Sequence, residues 1–218
     1  MALGNIAEVR SGSLLNRGGA DAYYVLVADV TSQGLRTSRL ANGTLPQKSG
    51  ALAALTAEDV VIALRGSTNA AAVVPILEGL DRPVFATLDV AVVRPHEGIS
   101  ANYLAWFLNL PATQEILATS RSGSAAPRLP LTALKALNVP LPSLERQAMI
   151  AGAAAEARRE RDLIENIQQS RQRLLDELLR QAADEGPAPG SNPARADYHP
   201  QSQGATGRAF SNPEDRKQ

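Results

Sequence analysis

The stretch Pro140-Leu-Pro-Ser-Leu-Glu-Arg-Gln-Ala-Met-Ile150 is where the chain changes character. Its prolines hold the segment extended, because a residue that precedes proline is disfavoured in the helical region. Ser143 can cap a helix, and Glu145 places a negative charge near the positive end of the helix dipole. No proline and, after Gly152, no glycine follows until residue 186. The pattern predicts one long helix over 143–184, roughly 60 Å in length at about 1.5 Å per residue.

Apolar residues within this predicted helix recur at alternating three- and four-residue steps, with interruptions at Glu160 and Arg171. That spacing places them on one face and is typical of a coiled-coil seam. A helix longer than its own domain requires usually bridges to a partner or pairs with one, so we expect this face to be a dimer or partner interface. The predicted interface residues are Ile150, Ala153, Ala157, Ile164, Ile167, Leu174 and Leu178.

The residues before the long helix predict one mixed α+β domain with a β-rich core, over 1–142. Runs rich in Val, Ile and Tyr, separated by turn-forming residues, predict strands. These lie at 23–30, 59–64, 70–76 and 88–93, with a weaker candidate at 3–10. Apolar residues on one face predict helices at 100–110, with Ser100 as the cap, at 111–118 and, as a short turn, at 131–137. Residues 185–218 are rich in Pro, Gly, Ser, Asn and Gln and predict a disordered tail.

Composition excludes several classes of protein. The chain has 218 residues, 44% of them hydrophobic, and a formal net charge of +0, so overall charge gives no sign of nucleic acid or membrane. Cysteine is absent, which excludes disulfides, thiol catalysis and cysteine zinc sites. The N-terminus carries no apolar signal core, and no apolar run is long enough to span a membrane. We therefore expect a soluble, cytoplasmic protein with no membrane partner.

The sequence contains no recognisable catalytic or cofactor constellation. It has neither an Asn/Asp-Pro-Pro-aromatic methyltransferase motif nor a Gly-x-Gly cofactor loop. His96 and His199 lie in different segments, each without a nucleophile at readable spacing, and no set of three or four metal ligands occurs together. The sequence predicts no metal, no cofactor and no catalytic residue in this chain.

Two loops carry the positive signals. Arg65-Gly-Ser-Thr-Asn69 follows the most apolar predicted strand, and Arg121-Ser-Gly-Ser-Ala-Ala-Pro-Arg128 offers a similar combination of arginine and short polar residues. Arginine and small hydrogen-bonding side chains on exposed turns suit contacts to DNA phosphates and base edges. Taken alone, either loop is more simply explained as an ordinary β-turn.

Five fragments of the chain, taken in order, are informative together. They are Leu3-Gly-Asn-Ile-Ala-Glu-Val-Arg-Ser-Gly12, Glu58-Asp-Val-Val-Ile-Ala-Leu-Arg-Gly-Ser67, Asn102-Tyr-Leu-Ala-Trp-Phe-Leu108, Gly123-Ser124 and the Leu134–Gln147 segment. Their succession resembles the specificity (S) subunit of type I DNA restriction–modification systems, over residues 3 to about 183. The most specific part is Pro140-Leu-Pro-Ser-Leu-Glu-Arg-Gln147, which leads into the long helix.

The resemblance implies a target recognition domain that reads double-stranded DNA, followed by a spacer helix that docks on modification (methyltransferase) subunits. The chain itself would not be an enzyme. Adenine methylation, with S-adenosylmethionine held by the partner, and any cleavage by restriction subunits would belong to the complex. The DNA-contacting candidates are Arg65, Ser67, Thr68, Asn69, Arg121, Ser124 and Arg128, with Arg17, Arg36, Arg39 and Lys48 as phosphate contacts.

The chain departs from the usual S subunit in having one recognition domain and one spacer helix rather than two of each. It has no internal repeat. Either two copies pair through antiparallel helices and read a split, inverted-repeat site, or the chain is an inactive truncation. Two functions of a different class stay open: an interaction adaptor without a DNA role, which the neutral net charge favours a little, and an enzyme on an α/β domain.

Overall fold

The centre of the fold is a four-stranded antiparallel sheet made from the most apolar runs of the chain. The computed structural model describes residues 1–46, 53–123 and 125–184. The strands, in spatial order, are β1 (Ala7–Ser11), β9 (Val90–Pro95), β6 (Val60–Ala63) and β7 (Ala71–Val73). Every residue of β6 is buried, because protein covers both faces of the sheet.

Alternate residues of β6 contribute to two different cores, as the alternation of side chains along a strand requires. Val60 and Ile62 face three short helices, which are α1 (Leu3–Ile6), α2 (Ala101–Leu108) and α4 (Leu131–Ala136). Val61 and Ala63 face the other way, into a core shared with a second sheet.

The second sheet has three strands in the order β5 (Ala41–Gly43), β2 (Ala22–Val25) and β8 (Val84–Ala86). Strand β2 pairs in antiparallel fashion with β5 and in parallel with β8. A two-stranded hairpin, β3 (Val30–Thr31) and β4 (Gly34–Leu35), completes the strands of the described chain. The observed class is the predicted one: a mixed α+β domain with a β-rich core, followed by one long helix.

The predicted helices are present and begin where their caps predict. Ser100 precedes α2, and its hydroxyl accepts a hydrogen bond from the Tyr103 amide at 3.3 Å. Helix α3 (Pro111–Thr119) begins at its proline, which is favoured at the first helical position. Helix α5 (Leu144–Asp184) follows Ser143, whose hydroxyl accepts from the Arg146 amide at 3.4 Å.

Gln147 anchors the first turn of α5 to the domain. Its side chain is 1% exposed. Its Oε1 accepts a hydrogen bond from the Ser100 amide at 2.9 Å, while its Nε2 donates to the carbonyls of Gly98 at 3.1 Å and Pro142 at 3.0 Å. The Tyr103 hydroxyl adds a bond to the Pro140 carbonyl at 2.9 Å, and burial raises the pKa of this phenol above its usual range. These bonds fix the start of α5 against the start of α2.

Several predicted strands are shorter in the structure. The run 23–30 ends as a strand at Val25 and continues into a 3-10 turn, Val27–Asp29, because the Asp29 carboxylate accepts a hydrogen bond from the Leu26 amide at 2.8 Å and tightens the backbone. The segment predicted at 3–10 starts as helix α1 and becomes strand only at Ala7. Strand β9 starts at Val90 rather than residue 88, and β7 covers only Ala71–Val73, in the first half of the predicted run 70–76.

The described chain divides into two compact units, Met1–Ile167 and a second that begins at Gln168. The first holds both sheets, α1–α4 and the first part of α5; the described part of the second is helical to Asp184. The division into 1–142, 143–184 and 185–218 stays a prediction, and the predicted tail lies outside the described residues. None of the helices described is both long and apolar enough to cross a membrane.

Candidate nucleic-acid interface

Leu64, at the end of β6, ties three loops together. Its amide donates to the Asp89 carbonyl at 2.8 Å, and its carbonyl accepts from the Leu129 amide at 2.8 Å. Leu64 is itself fully buried, so these bonds are shielded from competing water. These two hydrogen bonds bring the 65–69 and 121–128 loops side by side, with the β8–β9 turn between them. We call residues 65–69, 88–89 and 121–129, apart from residue 124, the three-loop surface.

Two arginines of the three-loop surface share one carboxylate. Arg65 Nε donates to Asp89 Oδ1 at 2.9 Å, and Arg128 Nε lies 3.5 Å from the same oxygen. Arg128 Nη2 also donates to the Leu88 carbonyl at 2.6 Å. All three charged side chains remain between 38% and 43% exposed. These three side chains therefore present two guanidinium groups and one carboxylate, with one net positive charge among them, to solvent.

Asn69 and Arg121 form a second link between the loops. Arg121 Nε donates to Asn69 Oδ1 at 2.9 Å, and its Nη1 donates to the Gly66 carbonyl at 3.1 Å. Asn69 Nδ2 donates to the Ala63 carbonyl at 2.7 Å, and Asn69 has no exposed surface. Both side chains, predicted as DNA contacts, are thus occupied in holding the 65–69 loop in shape. Gly66 has a φ of 111°, a conformation that favours glycine.

Gln114 of α3 completes this support. Its Oε1 accepts from the Asn69 amide at 3.0 Å, while its Nε2 donates to the carbonyls of Asn69 at 2.9 Å and Leu108 at 2.7 Å. The backbone amide and carbonyl of Asn69 are therefore both satisfied at a partly buried position, which holds this end of the loop in place.

Replacing Gln114 with alanine is expected to destabilise the domain by about 1–2 kcal/mol, because three hydrogen bonds are lost and the Asn69 amide is left unpaired. For a domain of this size the melting temperature should fall by about 2–6 °C. Glu115→Ala, at the exposed neighbouring position of the same helix, is the matched control and should melt within about 1 °C of the parent. Equal melting of the two variants would contradict the supporting role of Gln114.

The remaining predicted contact residues are distributed more widely. Ser67 and Thr68 are exposed at the tip of the three-loop surface, without side-chain hydrogen bonds to the described chain. Arg17, Arg36 and Arg39 are exposed outside that surface, and the structure does not bring them into it. Lys48 and Ser124 lie outside the described residues.

No pattern in the sequence points to Asp89 or Gln114 as part of this surface. DNA contacts are expected from cations and short polar groups, so the sequence gives no reason to assign the aspartate of a Leu-Asp turn to a DNA-binding surface. Gln114 lies on a helix 45 residues after its partner Asn69. Only the tertiary structure shows that such distant positions meet.

A separate ion pair, in which only the carboxylate is buried, stabilises the central sheet. Arg94 donates from Nε to Asp59 Oδ1 at 2.7 Å and from Nη2 to Asp59 Oδ2 at 2.8 Å, and Asp59 is 1% exposed. The hydrogen bonds that Arg94 donates to the Asp59 carboxylate raise the pKa of the Arg94 guanidinium. Asp59 also accepts from the Thr56 amide, so this pair holds the start of β6 against β9.

The face of α5 predicted as an interface is largely open. Gln147, Ala151, Ala154 and Arg158 turn inward, toward the domain. Ile150 packs against the domain core, so the open part of the predicted face begins at Ala153. The remaining members are all exposed: Ala153, Ala157, Ile164, Ile167, Leu174 and Leu178.

A cleft of about 520 Å³ lies between the start of α5 and the hairpin and α2. Its walls are mostly alanine and glycine, with Trp106 at one side. Among the described residues that line it, Arg158 is the one ionisable side chain, and the described chain holds no cluster of three potential metal ligands. The cleft thus offers no pairing of nucleophile and base.

Comparison with solved structures identifies the fold. A chain from a structural study of assembly and conformational transition in the type I R-M system superposes with a TM-score of 0.59 and 18% identity, over 82% of this chain and 42% of that one. The HsdS subunit from Thermoanaerobacter tengcongensis gives 0.50 and 18%, over 74% and 37%. The S subunit of a type I restriction–modification system from M. genitalium gives 0.51 and 12%, over 81% and 43%.

These three likenesses show a shared fold, a mixed α+β domain with a long helix, and the chain spans less than half the length of each protein compared. No protein-family model matches the chain. No curated protein matches it in sequence.

Proposed function

We propose that this chain is a non-catalytic, sequence-specific DNA-recognition subunit of a type I restriction–modification complex. It would direct a partner adenine methyltransferase, with or without an endonuclease subunit, to a bipartite site. The observation that carries the proposal is the three-loop surface, on which arginines and free hydroxyls from separate loops meet on a fold like that of S subunits. A cytoplasmic location follows from this role.

The role proposed for each residue of the three-loop surface follows from how exposed its side chain is. Ser67 and Thr68 present hydroxyl groups that can donate to or accept from base edges. Arg65 and Arg128 present guanidinium groups that suit phosphates or guanine edges. The buried Asn69, together with Arg121 and Gln114, holds the 65–69 loop in place, so little conformational freedom is lost when DNA binds.

We also propose that two copies pair through α5. Leucines and isoleucines that remain exposed along one helix face are costly to leave in water, and a second copy of the same face would cover them. A symmetric pair provides two recognition domains, which matches a split site with inverted half-sites. The distance between half-sites would then depend on the length of α5.

A salt titration tests the DNA proposal. The full-length chain, with and without the methyltransferase subunits of its complex, should bind duplex DNA with an affinity that falls at least about 10-fold between about 50 and 200 mM salt, because phosphate contacts release counterions. The double variant Arg65→Ala, Arg128→Ala should bind at least about 10-fold more weakly at the lower salt concentration. A flat salt response of the parent chain would contradict DNA as the ligand.

The control for this titration removes the same charge elsewhere. Arg159 and Arg173 are exposed on α5, and the variant Arg159→Ala, Arg173→Ala should bind duplex DNA within about 2-fold of the parent if local contacts rather than net charge carry binding. Equal loss in both double variants would show that only overall charge matters.

The main competing function is an interaction adaptor without a DNA role. The net charge of +0 and the open apolar face of α5 favour it. The gene neighbourhood separates the two: an adjacent methyltransferase reading frame supports DNA recognition, and an unrelated neighbourhood supports the adaptor.

A further inference from the structure

The Asp89 carboxylate lies where two arginines converge, at the point on the three-loop surface where positive charge is concentrated. Arg65 and Arg128 both approach its Oδ1 atom, at 2.9 and 3.5 Å. The approach is imposed by the backbone, because Leu64 binds the Asp89 carbonyl on one side and the Leu129 amide on the other. The backbone therefore brings the three residues within reach of one another, and the carboxylate of Asp89 contacts both guanidinium groups there.

Both guanidinium groups keep donors that the described chain does not use. Within the described residues, Arg65 is bonded only through Nε, so both of its terminal nitrogens are available. Arg128 is bonded through Nη2 to the Leu88 carbonyl. Its Nε is buried and makes no hydrogen bond to the described chain, because the 3.5 Å approach to Asp89 is too long for a good one. An anion with several oxygens would satisfy the unused terminal nitrogens of the two arginines, whereas the buried Arg128 Nε is out of its reach.

Without Asp89, two neighbouring guanidinium groups would repel each other, and each long side chain would regain rotamer freedom. With Asp89, they are held together while a single positive charge remains. A carboxylate here thus has two opposing effects on a bound anion, since it orders the arginines but also repels negative charge. The partial exposure of all three side chains weakens the repulsion, because water screens it.

We propose that Asp89 is a positioning residue that holds Arg65 and Arg128 as a clamp for one phosphate group of the DNA backbone. The proposal rests on the DNA-recognition function proposed above and adds a residue that is negatively charged and therefore unexpected at such a surface. If Asp89 only neutralised charge, its removal would strengthen DNA binding. If it orders the clamp, its removal weakens binding despite the gain in positive charge.

Two variants of equal charge separate these effects. Asp89→Asn and Asp89→Ala both raise the net charge by one, but asparagine keeps an oxygen that can accept the Arg65 hydrogen bond. With the full-length chain and a random-sequence duplex at low salt, we expect Asp89→Asn to bind at least as tightly as the parent. Asp89→Ala should bind about 5- to 10-fold more weakly than Asp89→Asn, because the arginines lose their ordering.

Equal or tighter binding of Asp89→Ala compared with Asp89→Asn would overturn the positioning role. That result is distinct from a failure of the proposed function, in which the parent chain itself shows no salt-dependent binding to DNA. Folding is checked by thermal melting. The Leu64–Asp89 bond uses backbone atoms and is kept in both variants, so both should melt within about 2 °C of the parent.

A double-mutant cycle tests the shared phosphate. If Arg65 and Arg128 hold the same phosphate group, the losses from Arg65→Ala and Arg128→Ala overlap, and the double variant binds less weakly than the product of the two single losses. Fully multiplicative losses would overturn the single-phosphate clamp.

Discussion

Placing aspartate at Ile164 and Ile167 is expected to abolish the proposed pairing of two copies at micromolar concentration while the α+β domain stays folded. Both isoleucines are about half exposed on α5. Burial of an isoleucine side chain contributes about 1.5–3 kcal/mol, and a symmetric pair would bury four of them. Loss of only about 4 kcal/mol of that total weakens association about 1,000-fold, and four carboxylates at the seam would repel one another as well.

Light scattering of the purified chain across a range of concentrations measures this effect. The matched control, Asn166→Asp with Ser170→Asp, adds the same two charges at exposed positions on another side of the same helix, and it should pair like the parent. Circular dichroism should give the same melting temperature for the α+β domain in all three proteins. If the variant Ile164→Asp, Ile167→Asp remained paired, α5 would be ruled out as the proposed dimer interface.

Replacement of Gln147 by leucine is expected to cost the domain about 3 kcal/mol. The substitution keeps roughly the same volume but leaves the Ser100 amide and the carbonyls of Gly98 and Pro142 without their partner. Each buried polar group left unpaired costs about 1–3 kcal/mol. For a chain of this size, the melting temperature should fall by about 6–12 °C.

The neighbouring variant Arg146→Leu installs the same residue at an exposed position of the same turn and should melt within about 2 °C of the parent. Hydrogen exchange adds a local measurement, since the Ser100 amide should exchange faster in Gln147→Leu and not in Arg146→Leu. If Gln147→Leu melted like the control, the start of α5 would be held by apolar packing rather than by this side chain.

The start of α5 could be predicted because its determinants are local. Two prolines, a serine cap and an unbroken run of helix-forming residues lie within a few positions of one another. The same holds for α2, where Ser100 caps, and for β6, where a continuous apolar run matches a strand buried on both faces. The arginines of the 65–69 and 121–128 loops likewise marked them as candidates.

The short strands could not be predicted, because they are defined by their partners. Strand β8 has three residues, and the β3–β4 hairpin has two in each strand. Segments of this length show no periodicity of their own. The run 23–30 has strand-like composition throughout, yet the Asp29 side chain turns the backbone after Val25.

By itself, then, the sequence determined the long helix, the two-sided central strand and the identity of two candidate loops. The tertiary structure alone decided that those loops meet, that Asn69 is buried behind them, and that Asp89 lies between Arg65 and Arg128. The physical reason is the distance along the sequence over which each interaction acts. Caps, prolines and apolar runs act between near neighbours, whereas Leu64 joins residues 25 and 65 positions away through backbone hydrogen bonds that no local pattern encodes.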